Sequence, residues 1–240
     1  MSEYFSGLLD SDGWVGRRGR MVRCVIANTV KDPLILLQEN FGGCLYSNTP
    51  RDPLKHRVLW YWEKSLRQDE LIVFELLRYS LVKASNLGID TSSFRVTNSY
   101  AAGLFDGDGT VTMSKRSKAS KARGYQITAA IYNTEETLMK MLVKEFGGFI
   151  YRPPRKNVFN WIIGSKQVRL FLERIIPFLI IKKQRVELAL QAVRVQSEGK
   201  VLAYGNKNAR YILPDHIVAK VEGLKQEMLR LNERGVTEAA

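Results

Sequence analysis

The stretch YAAGLFDGDGTV, Tyr100 to Val111, begins as an apolar helix and ends in a glycine-rich turn that carries two carboxylates, Asp106 and Asp108. A helix C-terminus is the negative end of the macrodipole, so each acidic group there is disfavoured by roughly 0.3–1 kcal/mol unless positive charge offsets it. The same construction stands near the start of the chain in EYFSGLLDSDGWVG, Glu3 to Gly16, with Asp10 and Asp12. Gly7 to Gly13 overlays Gly103 to Gly109 at one offset, 103 − 7 = 96, so the motif occurs once in each half.

Outward from the two motifs the repeat continues. IANTVKDPLILLQENFGG (26–43) lies over IYNTEETLMKMLVKEFGG (131–148), and LLRYSLVK (76–83) over IIPFLIIK (175–182). Periodicity predicts strands over 13–20 and 21–28, a helix over 31–41, strands over 44–48 and 57–64, and a helix over 66–82. The second half reads as strands 109–116 and 124–133, helix 135–146, strands 149–153 and 158–164, and helix 166–179. Each half is therefore αββαββα, an α+β class of two tandem repeats. The expected division is 1–88 and 99–196 for the halves, 89–98 for a linker, and 197–240 for a helical extension. Thr97 or Asn98 is the expected N-cap of the second motif helix. The run DHIVAKVEGLKQEMLRLNERG is expected to dock on one half.

Composition bounds the chemistry. The chain has 240 residues, 45% hydrophobic and 25% charged, as ordinary globular proteins do. No apolar run approaches the roughly 20 residues of a bilayer span, and no secretory pattern opens the chain. The expected setting is intracellular and reducing, cytoplasm or organelle, without a membrane partner. Cys24 and Cys44, with only His56 and His216, are too few and badly spaced for a zinc site or a Cys/His nucleophile. The net charge of +13, from 37 Lys+Arg against 24 Asp+Glu, favours a polyanion, and nucleic acid is the commonest.

AAGLFDGDG (101–109) and FSGLLDSDG (5–13) together resemble the motifs of the LAGLIDADG homing endonucleases, specifically the monomeric two-motif kind. The second copy departs from the nine-letter pattern at Ala101, Phe105 and Gly107; the first is looser, and both keep their carboxylates. The resemblance implies a pseudo-twofold saddle of antiparallel sheets, with the motif helices paired on the axis and their C-termini over the DNA minor groove. Ser6, Gly7, Ala102 and Gly103 are small enough for such helices to approach closely. It implies that Asp12 and Asp108 hold the metal, with Ser11 and Gly107 beside them in the metal set. Oxygen-only ligation points to Mg²⁺, with Mn²⁺ able to substitute and Ca²⁺ supporting binding without cleavage. Asp10 and Asp106 are expected to bond backbone at their own helix ends. Lys83 and Lys182 are the expected basic residues of the two catalytic sites, and Glu135 the residue that orients water; Val30 stands in its place in the first half.

Alternation along the strands separates a core face from a DNA face. Val22, Cys24 and Ile26 count as inward; Arg18, Arg20, Arg23, Ser114, Arg116, Gln126, Thr128 and Tyr132 count as outward. Tyr46, Asn48, Tyr151 and Asn160 join the outward set, and so by the same count do Trp60 and Trp62, although tryptophan is the more usual core residue. The basic loop Ser114 to Gly124, with Lys118, is expected to hold phosphates. The function so implied is a site-specific, metal-dependent double-strand DNA endonuclease of the intron or intein type. It reads a long non-palindromic site as a monomer and cuts both strands across the minor groove, leaving 3′ overhangs. An intron RNA maturase and a catalytically silent DNA-binding regulator are the alternatives on the same scaffold.

Overall fold

The computed structural model describes residues 1–49, 57–67, 71–116, 124–204 and 209–231. The first half runs α1 (Ser2–Asp12), β1 (Gly13–Arg18), β2 (Met21–Asn28), α2 (Asp32–Phe41), β3 (Cys44–Asn48) and β4 (Leu59–Arg67), then α3 (Leu71–Arg78) and α4 (Val82–Asn86). The second runs α5 (Asn98–Asp108), β5 (Gly109–Lys115), β6 (Tyr125–Asn133), α6 (Glu136–Phe146), β7 (Phe149–Tyr151), β8 (Phe159–Gly164) and α7 (Ser165–Ile175), closed by a 3-10 turn at Ile176–Phe178. The two four-stranded antiparallel sheets have the same order, β1-β2-β4-β3 and β5-β6-β8-β7. The α+β class and the tandem repeat are as the sequence predicts.

Register sets the faces. Ile26 lies directly opposite Trp62 and Ile131 opposite Trp161, and all four side chains are fully buried. Val22 and Cys24 share that inner face, as expected. Trp62 is thus a core residue, and its place in the outward set is corrected: direct cross-strand partners share a face, so Ile26 takes Trp62 inward with it. Trp60, of the same parity, is half-buried, with Lys31 Nζ 4.3 Å above its ring. Each buried indole donates Nε1–H to a glycine carbonyl, Gly42 for Trp62 and Gly147 for Trp161, both at 2.8 Å. Those glycines end α2 and α6 at φ +67° and +79°, left-handed conformations that a side chain resists.

The motif helices form the centre. Tyr4 to Asp10 and Tyr100 to Asp106 are each seven consecutive buried residues, so both helices are enclosed on every side. A Cβ on Gly7 would stand 2.1 Å from the Tyr100 carbonyl oxygen, and one on Gly103 1.8 Å from that of Tyr4. The backbones touch, and glycine is required there despite costing about 1 kcal/mol relative to alanine in a helix. Thr97 is the N-cap of α5, its Oγ1 accepting from Tyr100 N–H at 3.2 Å.

One expectation is corrected here. The helix expected over 66–82 is interrupted: β4 runs to Arg67, and the chain breaks between α3 and α4 around Ser80. The extension expected over 197–240 opens with a hairpin of β9 (Val201–Tyr204) and β10 (Ala209–Ile212) and then forms the expected helix, α9 (Asp215–Arg230), while α8 (Lys183–Glu198), at the end of the second half, is a helix the periodicity did not predict. Arg185 Nη2 donates to the Leu231 carbonyl at 2.7 Å and ties the end of α9 to α8. Among the described residues no helix is long and apolar enough to cross a membrane.

Candidate active site

The first acid of each motif is engaged far from its own helix end. Asp10 accepts from the amides of Leu81, Val82 and Lys83 at 2.8, 3.2 and 2.9 Å and from Ser80 Oγ at 2.6 Å. Asp106 accepts from the amides of Ile180, Ile181 and Lys182 at 2.8, 3.0 and 2.8 Å. These amides lead into α4 and α8, so a helix N-terminus faces each buried carboxylate and offsets the unfavourable dipole. The expectation of purely local bonding is thereby corrected. The two halves are also laced together, because Tyr100 Oη donates to Asp10 at 2.6 Å and Tyr4 Oη to Asp106 at 2.8 Å. Burial, then the charge of the facing carboxylate, raises both phenols well above the usual range and keeps them donors.

The second acid of each motif lies where the helices end. Asp12 Oδ2 accepts from Asn28 Nδ2 at 2.7 Å, and Asp108 Oδ2 from Asn133 Nδ2 at 3.3 Å. The two asparagines are equivalent, each turning its own Oδ1 to the amide two residues on, Val30 at 2.9 Å and Glu135 at 3.0 Å. Burial and the charge of Asp12 push the Asp108 carboxyl up to about 6. Burial also raises Asp12, against the hydrogen bond from Asn28. A Cβ on Gly107 would lie 2.0 Å from Ser11 Oγ and 3.3 Å from Asp12 Cγ, so the bare backbone of one motif admits the acid of the other.

Lys182 covers the end of α5. Its Nζ donates to the carbonyls of Phe105, Gly107 and Gly109 at 2.9, 2.7 and 2.7 Å, which uses all three ammonium protons; the Phe105 carbonyl also accepts the Gly109 N–H that closes the helix. Burial lowers its pKa to about 8, against the charges of Asp106 and Asp12. Lys83 has its amide on Asp10, and its charge opposes the upward shift of Asp108. Glu135 caps α6, its Oε1 accepting from Thr137 N–H at 3.1 Å. Ser11 Oγ is turned along its own helix to the carbonyls of Gly7 and Leu8.

No group of three or more His, Cys, Asp or Glu side chains suited to a metal exists among the described residues. The donors on offer are two carboxylates, each with Oδ1 unengaged, and the second lone pair of the Gly107 carbonyl. Such a set fits a hard cation that completes its shell with water and phosphate oxygens, and does not fit zinc or copper.

On the opposite faces of the sheets, Tyr46, Tyr132 and Tyr151 are exposed, as are Arg20, Arg23, Asn48, Ser114, Arg116 and Gln126. Thr128 is half-buried, sharing a 2.8 Å hydrogen bond between hydroxyls with Thr112. Asn160 is half-buried beside Tyr151, with Oδ1 lacking a partner. Lys118 and the Arg18 side chain lie outside the described residues. Sequence reasoning missed Asn28, Asn133, Tyr4 and Tyr100. The signal was present: the asparagines coincide in the overlaid segments, and the tyrosines keep the offset of the motifs, 100 − 4 = 96.

No protein-family model matches the chain. Its structure resembles that of I-SmaMI bound to uncleaved DNA target in the presence of calcium ions, with TM-score 0.65 and 13% identity over 95% of this chain and 99% of that one. It resembles the LAGLIDADG meganuclease I-AabMI bound to uncleaved DNA equally, with TM-score 0.65 and 13% identity over 96% and 99%. The fold is that of the LAGLIDADG homing endonucleases. Among curated proteins, the probable intron-encoded endonuclease aI2 of Debaryomyces hansenii is 23% identical over 189 residues, 69% of this chain. The chain spans 28% of the length of that relative. The physical basis of the LAGLIDADG fold is visible in the side chains: glycines let the motif helices touch, and crossed Tyr–Asp bonds lock them.

Proposed function

We propose that this chain is a site-specific, Mg²⁺-dependent DNA endonuclease of the intron- or intein-encoded type. It binds a long non-palindromic duplex as a monomer and cuts both strands across the minor groove, leaving 3′ overhangs. The observation that carries this reading is the convergence of Asp12 and Asp108, one from each half, at the end of a crossed helix pair in a chain of charge +13. Asp12 and Asp108 hold the cation, Asn28 and Asn133 fix the rotation of the two carboxylates, and Lys182 keeps the α5 terminus in place. Lys83 adds positive charge that acts on Asp108, and Glu135, whose amide donates to Asn133 Oδ1, is the residue that orders solvent. When bound, the cation supplies Lewis acidity for hydrolysis of a phosphodiester. Incubation with a randomised duplex library tests this. Cut products with 3′ overhangs are expected in Mg²⁺ or Mn²⁺ and retention without cutting in Ca²⁺; binding with no cutting in any of the three would favour the silent regulator.

Two further results are expected. Affinity for duplex, cognate or not, should fall steeply with salt, by about 10³-fold or more between 50 and 200 mM if six or more phosphates are neutralised. A nearly flat plot of log K against log [salt] would remove DNA as the main partner.

The second concerns pH. The fold raises the Asp108 carboxyl from 3.8 to about 6, so it favours the protonated form. The associated stability is fully present below the unfolded value of 3.8 and is lost as pH rises through about 6. A divalent cation requires both carboxylates ionised and binds only the folded chain, so it reverses this trend. The rise in melting temperature on replacing EDTA with Mg²⁺ should be small at pH 5 and larger at pH 7.5. An equal rise at both would place the cation elsewhere.

A further inference from the structure

On the exposed face of the first sheet, three strands contribute to one polar network. Arg23 on β2 makes a two-pronged pair with Glu63 on the central strand β4, Nε to Oε1 at 2.6 Å and Nη2 to Oε2 at 2.7 Å. Tyr46 on β3 donates Oη–H to Glu63 Oε2 at 2.9 Å, and its ring stacks on Tyr61 at 5.2 Å and 9°. An exposed ion pair adds little to stability, and a carboxylate on the DNA face of a basic protein repels phosphate. Glu63 therefore needs another explanation.

We propose that Arg23 reads a guanine, and that Glu63 and Tyr46 are the residues that position it. This rests on the functional reading above. A guanidinium has five N–H donors in a rigid plane. The pair with Glu63 takes the Nε proton and one Nη2 proton, which leaves the outer Nη1–Nη2 edge turned away from the carboxylate, with the Tyr46 hydroxyl close to the guanidinium. That edge matches O6 and N7 of guanine in the major groove. Both Glu63 oxygens are occupied, so the carboxylate is a brace and does not itself read a base. Holding a rotamer-rich side chain in its bound geometry reduces the entropy lost on binding. With the Arg23 side chain 51% exposed and that of Glu63 23%, the reading edge stands above its brace. The second sheet lacks the device: by register Thr128 and Ile162 occupy the corresponding places, so the guanine belongs to one half of the site only.

Binding-site selection on duplex DNA with the wild type, Arg23→Ala and Glu63→Gln tests the proposal. The wild type should prefer guanine at one position by roughly 10–100-fold. Arg23→Ala should lose that preference alone, and Glu63→Gln should weaken it several-fold while affinity for non-cognate duplex rises. A Glu63→Gln preference that is unchanged or sharper would make Glu63 a bystander or a latch and overturn the positioning role. Unchanged preferences in Arg23→Ala would overturn the guanine assignment, leaving the endonuclease reading intact. A wild type that does not bind duplex DNA would overturn both.

Discussion

Asp108→Asn is expected to reduce double-strand cleavage by roughly 10³-fold or more, while binding of the same duplex persists or tightens slightly. Asparagine keeps the shape and the bond to Asn133 but removes a hard anionic donor. Where a cation supplies several kcal/mol of transition-state stabilisation, losing it costs about that factor. The substitution also removes the repulsion from Asp12, the charge that with burial raises Asp108 to about 6, so the fold and the DNA face should gain slightly. Asp12→Asn should behave alike, and residual activity in either variant should appear as nicking of one strand. Gel shift and plasmid cleavage on the same preparations decide the matter. Full cleavage by Asp108→Asn in Mg²⁺, or binding lost in proportion to cutting, would put the active site elsewhere.

Gly103→Ala is expected to destabilise the chain by about 3 kcal/mol, near the upper end of ordinary overpacking costs. The added methyl would stand 1.8 Å from the Tyr4 carbonyl oxygen and 2.9 Å from the Leu8 nitrogen. Both are backbone atoms, so no rotamer change relieves the clash and the helices must separate. Gly223→Ala is the control. That glycine lies in α9 with nothing within 4 Å of a Cβ, and alanine there should stabilise by up to about 1 kcal/mol through helix propensity. Urea unfolding of both variants should give shifts of opposite sign. A neutral Gly103→Ala would mean that the motif helices do not pack backbone to backbone. Because Asp12 and Asp108 hang on the ends of those helices, cleavage by Gly103→Ala should fall even where the protein is folded.

The parts of the molecule that the sequence by itself determined are those carried by local period and by repetition. Most strands and helices of both halves follow from alternation and from the GG pairs, whose left-handed backbone ends α2 and α6; the break near Ser80 and the helix α8 do not. The class and the duplicated motif follow from one offset of 96 residues. The tertiary structure alone decided which groups answer the buried acids. Asp10 finds amides at 81–83 and Asp106 amides at 180–182, partners set by where α4 and α8 begin in space. The same holds for Trp62: alternation separates two faces without saying which is the core, and only its pairing with Ile26 turns it inward. Arg23, Glu63 and Tyr46 lie on three strands that only the order β1-β2-β4-β3 makes neighbours. A carboxylate is met by whatever donor the packing delivers, and at long range that donor has no signature along the chain.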